Sequence, residues 1–535
     1  MWPAWLALAL LCAALFTVTA PGRITYPDDE IVFQTTQSLV EHGTLAIPGI
    51  PKRTGERPDR PSGSFGWAPG DPSRHHAGER FGFFGHGLSW VATPIYALAK
   101  AAVARVPERW RYAIRSDLFT FHKRGLEADW LRMVVSLTNC LLTPLSAVLL
   151  GMWLMVLGYE SRAAVATALL YALGTTAWPY SGMLLSEPLS ALVLLGASLE
   201  ISRWQRDGGR AHLWAAAALA GFGVHVHLLN LLALPCLGAY ALAPSWRANE
   251  ATGGIGARIS ATLRAAADDR VWWGALAIGA LALALLGLDQ WARFGSPFES
   301  GRYDHYGHWV WPWRGLLTMA IAPGRSLLWY SPPLLAGLWC WPALRRRDPA
   351  TAWLLVALLA LRAVFVACRS DWHGGWALGP RYLVPMVPFM MIPVAGLIER
   401  AGRARVWQRA LGFGAALACV LFQAWLALHS IFQVLWAINH EHGPDRYWAV
   451  VDWELSALPP LAFWRLQAPA LGYARDGNWS AARSLAQFDA LGFGAWRLSA
   501  VSDADGLWWV LEAIAGVGVL AGVSLWLWFW AERRT

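Results

Sequence analysis

Apolar residues in this chain fall into twelve runs, near residues 2–20, 131–157, 163–178, 183–201, 212–225, 228–243, 272–290, 327–343, 351–367, 382–398, 409–435 and 507–530. Within each run they are continuous rather than alternating, which predicts helices. Runs of about eighteen apolar residues or more are long enough to cross a bilayer. The runs at 212–225 and 228–243 are short, and they form either one long helix or a pair meeting at His225-Val226-His227.

Loop charge separates these two choices. With the N-terminus cytoplasmic and the two short runs counted apart, the inside loops hold Arg162, then Arg203, Arg206 and Arg210, then Arg247, Arg258, Arg264 and Arg270. They continue with Arg345 to Arg347, then Arg400, Arg403, Arg405 and Arg409, and finally Arg533 and Arg534. This is a consistent positive-inside pattern. Merging the two runs inverts everything after residue 243 and sends the triple arginine outside. The chain therefore reads as an all-α polytopic membrane protein with twelve crossings, or eleven if the runs merge, in a bacterial inner membrane. Residues 2–20 lack a basic leading segment and read as a retained first helix rather than a cleaved signal.

Composition agrees with this. Of 535 residues, 56% are hydrophobic and 15% charged, against about 25% charged in soluble domains. The 36 Trp suit a membrane–water boundary, where an indole is half wet. The net charge of +9 is almost all arginine, with lysine only at Lys52, Lys100 and Lys123. No basic stripe interleaved with aromatics is present, so nucleic acid is set aside as a partner. The six cysteines lie in or at the ends of apolar runs without metal-like spacing and read as small core hydrophobes.

The same topology places 21–130, 179–182, 225–229, 291–326, 368–381 and 436–506 on the outer, periplasmic face. In the long first loop, 29–42 and 87–104 read as helices along the interface, and 48–80, rich in Pro, Gly, Arg and Ser, as a mobile loop. Residues 1–435 form the transmembrane catalytic module, 436–506 a periplasmic segment, and 507–535 a terminal helix and tail.

Nearly all candidate chemistry lies on that outer face. Asp28-Asp29-Glu30 follows the first helix. Three adjacent carboxylates near lipid raise one another's pKa and can supply a general base, or they can simply complement a helix N-terminus. Arg80 to Gly87 is a Gly/aromatic turn whose amides could cradle an anion or merely pack. Trp178-Pro179-Tyr180-Ser181 and Ser186-Glu187-Pro188 form a hairpin tip, with Glu187 just inside an apolar run, where an acid is costly and functional or paired. His225, His227 and Asn230 sit at the break, where the histidines could bind phosphate or a divalent cation, or hydrogen-bond to backbone carbonyls. Arg325 and Arg381 each stand at the outer start of a helix, as phosphate ligands or as snorkelling anchors.

In order, Asp29-Glu30, Glu41-His42-Gly43, Phe84-Gly85-His86-Gly87, Trp178-Pro179-Tyr180 with Ser186-Glu187-Pro188, Arg293-Phe294-Gly295-Ser296-Pro297, Pro323-Gly324-Arg325 with Tyr330-Ser331-Pro332, and Trp372 through Gly375-Trp376 to Gly379-Pro380-Arg381-Tyr382 resemble a membrane glycosyltransferase of the GT-C type. The likeness is to bacterial relatives of dolichyl-phosphate-mannose–protein mannosyltransferases and to lipid A aminoarabinose transferases, over about residues 1–400. The resemblance implies transfer of a sugar from a polyprenyl-phosphate donor to a lipid, glycan or protein acceptor, with inversion. It makes Asp29 the base with Glu30 supporting, although Asp28 shifts that assignment by one residue. It further implies that Glu187 orients acceptor or sugar, that Arg325, Arg381 and His227 hold the phosphate, and that Asp28, His86, Tyr180, Asp371 and His373 surround the acceptor or sugar. Phe84 stands where relatives have Lys or Tyr. A divalent cation, held by His225 and His227, stays open. A flippase or ligase of lipid-linked sugars is the rival reading; few intramembrane charges, all at outer ends, argue against conduction.

Overall fold

The computed structural model describes residues 1–24, 26–47, 67–71, 73, 79–107, 126–250, 254–301, 308–493 and 505–532. Most of the mobile loop expected at 48–80, Lys52, Lys123, Arg533 and Arg534 lie outside the described residues. In chain order the helices are α1 (Trp2–Thr19), α2 (Pro27–His42), α3 (Gly87–Val103), α4 (Leu126–Ser136), α5 (Thr138–Val156), α6 (Ser161–Gly174), α7 (Ala177–Ser181) and α8 (Glu187–Asp207). They continue with α9 (Arg210–Val226), α10 (Ala233–Ala248), α11 (Ile255–Asp268), α12 (Arg270–Phe294), α13 (Trp313–Ile321), α14 (Leu327–Tyr330), α15 (Pro333–Arg347) and α16 (Pro349–Ala367). Last come α17 (Val387–Ala401), α18 (Val406–Ala427), α19 (Ile431–Trp453), α20 (Pro459–Arg475), α21 (Trp479–Leu485) and α22 (Asp505–Glu532).

Each of the twelve apolar runs carries a helix. Among the described residues, eight stretches are long and apolar enough to cross a membrane: Trp2–Thr19, Glu127–Val156, Leu228–Ala248, Arg270–Phe294, Pro349–Ala367, Arg381–Ala401, Val406–Ala427 and Trp508–Glu532. The remaining runs form the shorter helices α6, α9 and α15 and the polar-tipped α8. The core threads through α1, α5, α6, α8, α16 and α17, whose Leu8, Trp153, Val165, Leu195, Leu358 and Met391 are all buried. Helices foreseen at 29–42 and 87–104 are present as α2 and α3. A short antiparallel pairing of Trp67–Pro69 with Arg80–Gly82 was not foreseen.

The break at His227 reverses the chain. Asn230, just after it, donates to Ser190 near the start of α8 at 3.0 Å. Tyr240, ten residues on, meets Ser202 at 2.8 Å, and Ser190 to Ser202 spans about 18 Å of helix. α10 therefore runs back alongside α8, and the loop-charge argument for separate helices agrees with the fold. The run at 409–435 divides instead: α18 ends at Ala427, and Ser430 caps α19 by accepting from the Gln433 N–H. The run at 327–343 likewise breaks at Ser331-Pro332, because proline interrupts a continuing helix.

Ion pairs gather at both ends of the bundle. At one, Arg347 pairs with Glu399 at 3.0 Å, Arg403 with Glu160 at 2.8 Å and Arg247 with Asp348 at 3.6 Å. At the other lie the first turn of α2, the start of α8, the His227 break and the 368–386 segment.

Candidate active site

Four distant pieces of sequence converge at this second end. Tyr26-Pro27 starts α2 abruptly, with extended backbone at Tyr26 and proline in the first turn, where its missing N–H costs nothing. That places Asp28 and Asp29 on adjacent faces of the first turn, about 100° apart. Arg381 opens the 3-10 turn Arg381–Met386 and points between α2 and α8. Its Nε donates to Glu187 Oε1 at 2.6 Å and its Nη1 to Asp28 Oδ2 at 2.5 Å. Glu187 is 0% exposed. Such a buried, doubly paired guanidinium is held in a fixed orientation.

Asp29 lies behind this knot, 1% exposed. One carboxylate oxygen accepts from the Leu184 N–H at 3.3 Å. The other is buried with no hydrogen-bond partner, as is Glu187 Oε2. Burial pushes the Asp29 carboxyl well above the usual carboxylate range, against the pull of Arg381 and with help from Asp28. Glu30 faces elsewhere. Arg132 of α4 grips it at 3.0 and 2.8 Å through two nitrogens, and Gln34 adds 2.6 Å. It braces α2 against α4.

Arg325, expected on phosphate, is turned inward. It is 1% exposed. Its Nε donates to Asp452 at 3.2 Å, Nη1 to the carbonyls of His373, Ala377 and Gly379 at 3.1, 3.0 and 3.3 Å, and Nη2 to that of Gly375 at 3.4 Å. The loop can curl round it because Gly374, Gly375 and Gly379 adopt left-handed φ of 71°, 74° and 63°. Gly324 is required for a different reason: a Cβ there would lie 1.7 Å from the Val451 carbonyl oxygen. The Pro-Gly-Arg motif thus supports the 371–381 loop. Tyr180, expected near the sugar, is also internal, its hydroxyl donating to the Leu378 carbonyl at 2.7 Å. His373 stacks on Trp448 at 3.5 Å and accepts from the Gly375 N–H at 3.2 Å. Burial, then Arg325, pushes its pKa down to about 3.

A cavity of about 300 Å³ opens beside the knot, lined by Phe83, Phe84, Gly85, His227, Leu228, Leu229, Phe365, Arg369, Asp371, Trp372 and Tyr382 among others. Arg369 lies 3.5 Å from Asp371. Since Arg381 and Tyr382 are consecutive, knot and cavity share one turn. Gly85 and Gly87 sit against the helix break: a Cβ on Gly85 would be 2.2 Å from the His225 carbonyl oxygen. Their role is close packing rather than an anion cradle.

The histidines diverge. His225 turns to the Ala282 carbonyl of α12 at 3.0 Å. His227 instead accepts from the Leu229 N–H at 3.1 Å and faces Tyr382 and the cavity. Hence they do not form a shared cation site, and no group of three or more metal-ligating side chains occurs among the described residues. His86 also leaves the knot; its Nε2 lies 3.9 Å from Asp289, and burial, then Arg293, depress its pKa well below the usual histidine range.

Three arginines escaped the sequence reading: Arg369, which lines the cavity, and two inside apolar runs. Arg132 is the partner of Glu30. Arg362, buried in α16, donates to the Tyr382 carbonyl at 2.5 Å and to Asn230 at 3.0 Å, while its Nη2 has no hydrogen-bond partner. A charged residue inside an apolar run was the available signal for both.

No family model matches the chain, and no curated protein does. Among solved structures, it is similar to ArnT from Cupriavidus metallidurans bound to undecaprenyl phosphate, at 15% identity and a TM-score of 0.47, over 97% of this chain and 76% of that one. It is also similar to the archaeal oligosaccharyltransferase AglB from Archaeoglobus fulgidus in complex with an inhibitory peptide and a dolichol-phosphate. That match has 11% identity and a TM-score of 0.46, over 85% of this chain and 60% of AglB. The chain thus spans about three fifths of AglB.

Proposed function

We propose that this chain is a membrane glycosyltransferase that moves a sugar from a polyprenyl-phosphate donor to an acceptor hydroxyl, with inversion, on the periplasmic face of a bacterial inner membrane. The observation that carries the reading is Asp29: a buried carboxyl with one oxygen that has no hydrogen-bond partner, set directly behind an arginine anchored by Glu187. The ionised form of Asp29, which its raised pKa makes a stronger base, takes the acceptor's hydroxyl proton, the acceptor oxygen attacks the anomeric carbon, and the bond from that carbon to the phosphate oxygen breaks. The leaving phosphate carries its charge to Arg381. Preplaced charge of this kind lowers the barrier because it needs no reorganisation during the reaction.

The neighbouring cavity suits the donor. Phe83, Phe84, Leu228, Leu229 and Phe365 offer apolar walls, and Arg369 and His227 add polar groups. Glu30, Arg132, Arg325 and Tyr180 act as braces that hold α2 and the 371–381 loop in place. The buried charges Glu187, Arg362 and Arg381 gather at one end of the bundle, as a surface reaction needs and a transmembrane path does not.

The reading is tested in cells by mass spectrometry of envelope glycans. A deletion strain loses one sugar modification, wild-type chain restores it, and Asp29→Asn at equal abundance does not. Restoration by Asp29→Asn, or a glycan profile untouched by the deletion, would sink the proposal.

A further inference from the structure

Arg381 is held from two sides that differ in accessibility. Glu187, on the inner side, is 0% exposed and binds Nε at 2.6 Å. Asp28, on the outer side, has a side chain 29% exposed and binds Nη1 at 2.5 Å. One anion partner is fixed within the fold; the other lies at the surface of the same guanidinium. We infer that Asp28 occupies the phosphate-binding arm of Arg381 in the empty protein and that the donor's lipid phosphate displaces it on binding. This deepens the reading above and rests on its assignment of the phosphate to Arg381.

Charge and geometry both favour exchange. A phosphate cannot share Nη1 with Asp28 in place without setting two anions side by side, and Glu187 already adds negative charge to the knot. Displacement costs Asp28 little, because it sits in the first turn of the sixteen-residue α2. A carboxylate there is favoured by the helix dipole and open N–H groups even after it swings off Arg381. Glu187 also opens a helix, α8, but has no room to swing away. It is enclosed, so it keeps Arg381 aimed while the outer partner changes.

The test is binding of undecaprenyl phosphate to the full-length purified protein in detergent micelles, for wild type, Asp28→Ala and Asp28→Asn. The expected result is roughly tenfold tighter binding by Asp28→Ala, about the value of one charge-assisted hydrogen bond removed from competition. Asp28→Asn, of unchanged size, should fall between the two, and Arg381→Met should lose the binding. Wild-type or weaker affinity in both folded Asp28 variants would overturn the proposal and make Asp28 a brace or a ligand itself. Tightening toward inorganic phosphate with none toward undecaprenyl phosphate would overturn the donor as the displacing group. Sugar transfer by Asp29→Asn, by contrast, would remove the base and leave this binding comparison standing, so the two failures are distinguishable.

Discussion

Arg325→Met separates a structural arginine from a phosphate ligand. Arg325 and Asp452 are each 1% exposed, and removing one partner of a buried ion pair costs about 3–5 kcal/mol because the other charge is stranded. The carbonyls of His373, Gly375, Ala377 and Gly379 lose a shared donor as well. The loop can relax toward water, which offsets part of this added loss, so about 4 kcal/mol, the middle of that range, is a fair figure. In a chain of 535 residues, an unfolding entropy of about 2 cal/mol/K per residue turns that into a fall of about 4 °C in Tm. Thermal unfolding in detergent, followed by intrinsic tryptophan fluorescence, reads it directly. Adding Asp452→Leu should recover part of the loss, since the stranded carboxylate goes too. At low temperature the folded single variant should still bind undecaprenyl phosphate. A wild-type Tm combined with lost lipid-phosphate binding would refute the clasp and return Arg325 to the phosphate.

The other expectations follow from the same contacts. Arg132→Met and Glu30→Gln should each destabilise, and a double-mutant cycle should give a coupling of about 1–3 kcal/mol; additivity would mean the pair does not brace α2. Asp29 has a raised folded pKa, so the stability it contributes is present at low pH and lost as pH rises from about 4 toward the raised value. Asp29→Asn should therefore melt higher than wild type at pH 8 and equal to it near pH 4; a lower melt at pH 8 would contradict its burial as an acid. His373 has the opposite sign. Its folded pKa of about 3 means stability is lost as pH falls below about 6.5, and His373→Phe, which keeps the stack on Trp448, should flatten that acid limb.

The fold was legible because helix-forming apolar runs are continuous and because arginine marks one face. That arithmetic demanded a reversal near His227, and Asn230–Ser190 with Tyr240–Ser202 display it. The meeting of Asp28, Glu187 and Arg381 was legible as motifs on one face, though not as a single knot. What sequence did not separate was an arginine facing a ligand from one clasped by carbonyls. Arg325 and Arg381 have the same local signature, and their side-chain partners lie 127 residues away for the first and 194 and 353 for the second. Arg132 and Arg362 were hidden by apolar neighbours, where a lone arginine resembles a snorkelling anchor. Of the alternatives open for the paired histidines, His225 takes the backbone-carbonyl one, because it lies in the last turn of a helix while His227 is extended, so their rings part.

The central claim is that Asp29 is the base of a sugar transfer from a polyprenyl-phosphate donor. The most direct measurement is release of undecaprenyl phosphate from a panel of undecaprenyl-phosphate-linked sugars, by purified wild type and Asp29→Asn, with envelope extract as acceptor. The account predicts acceptor-dependent release by wild type from at least one donor, and release by Asp29→Asn reduced at least a hundredfold with donor binding retained, in line with loss of a general base. Equal release by the two proteins would contradict it.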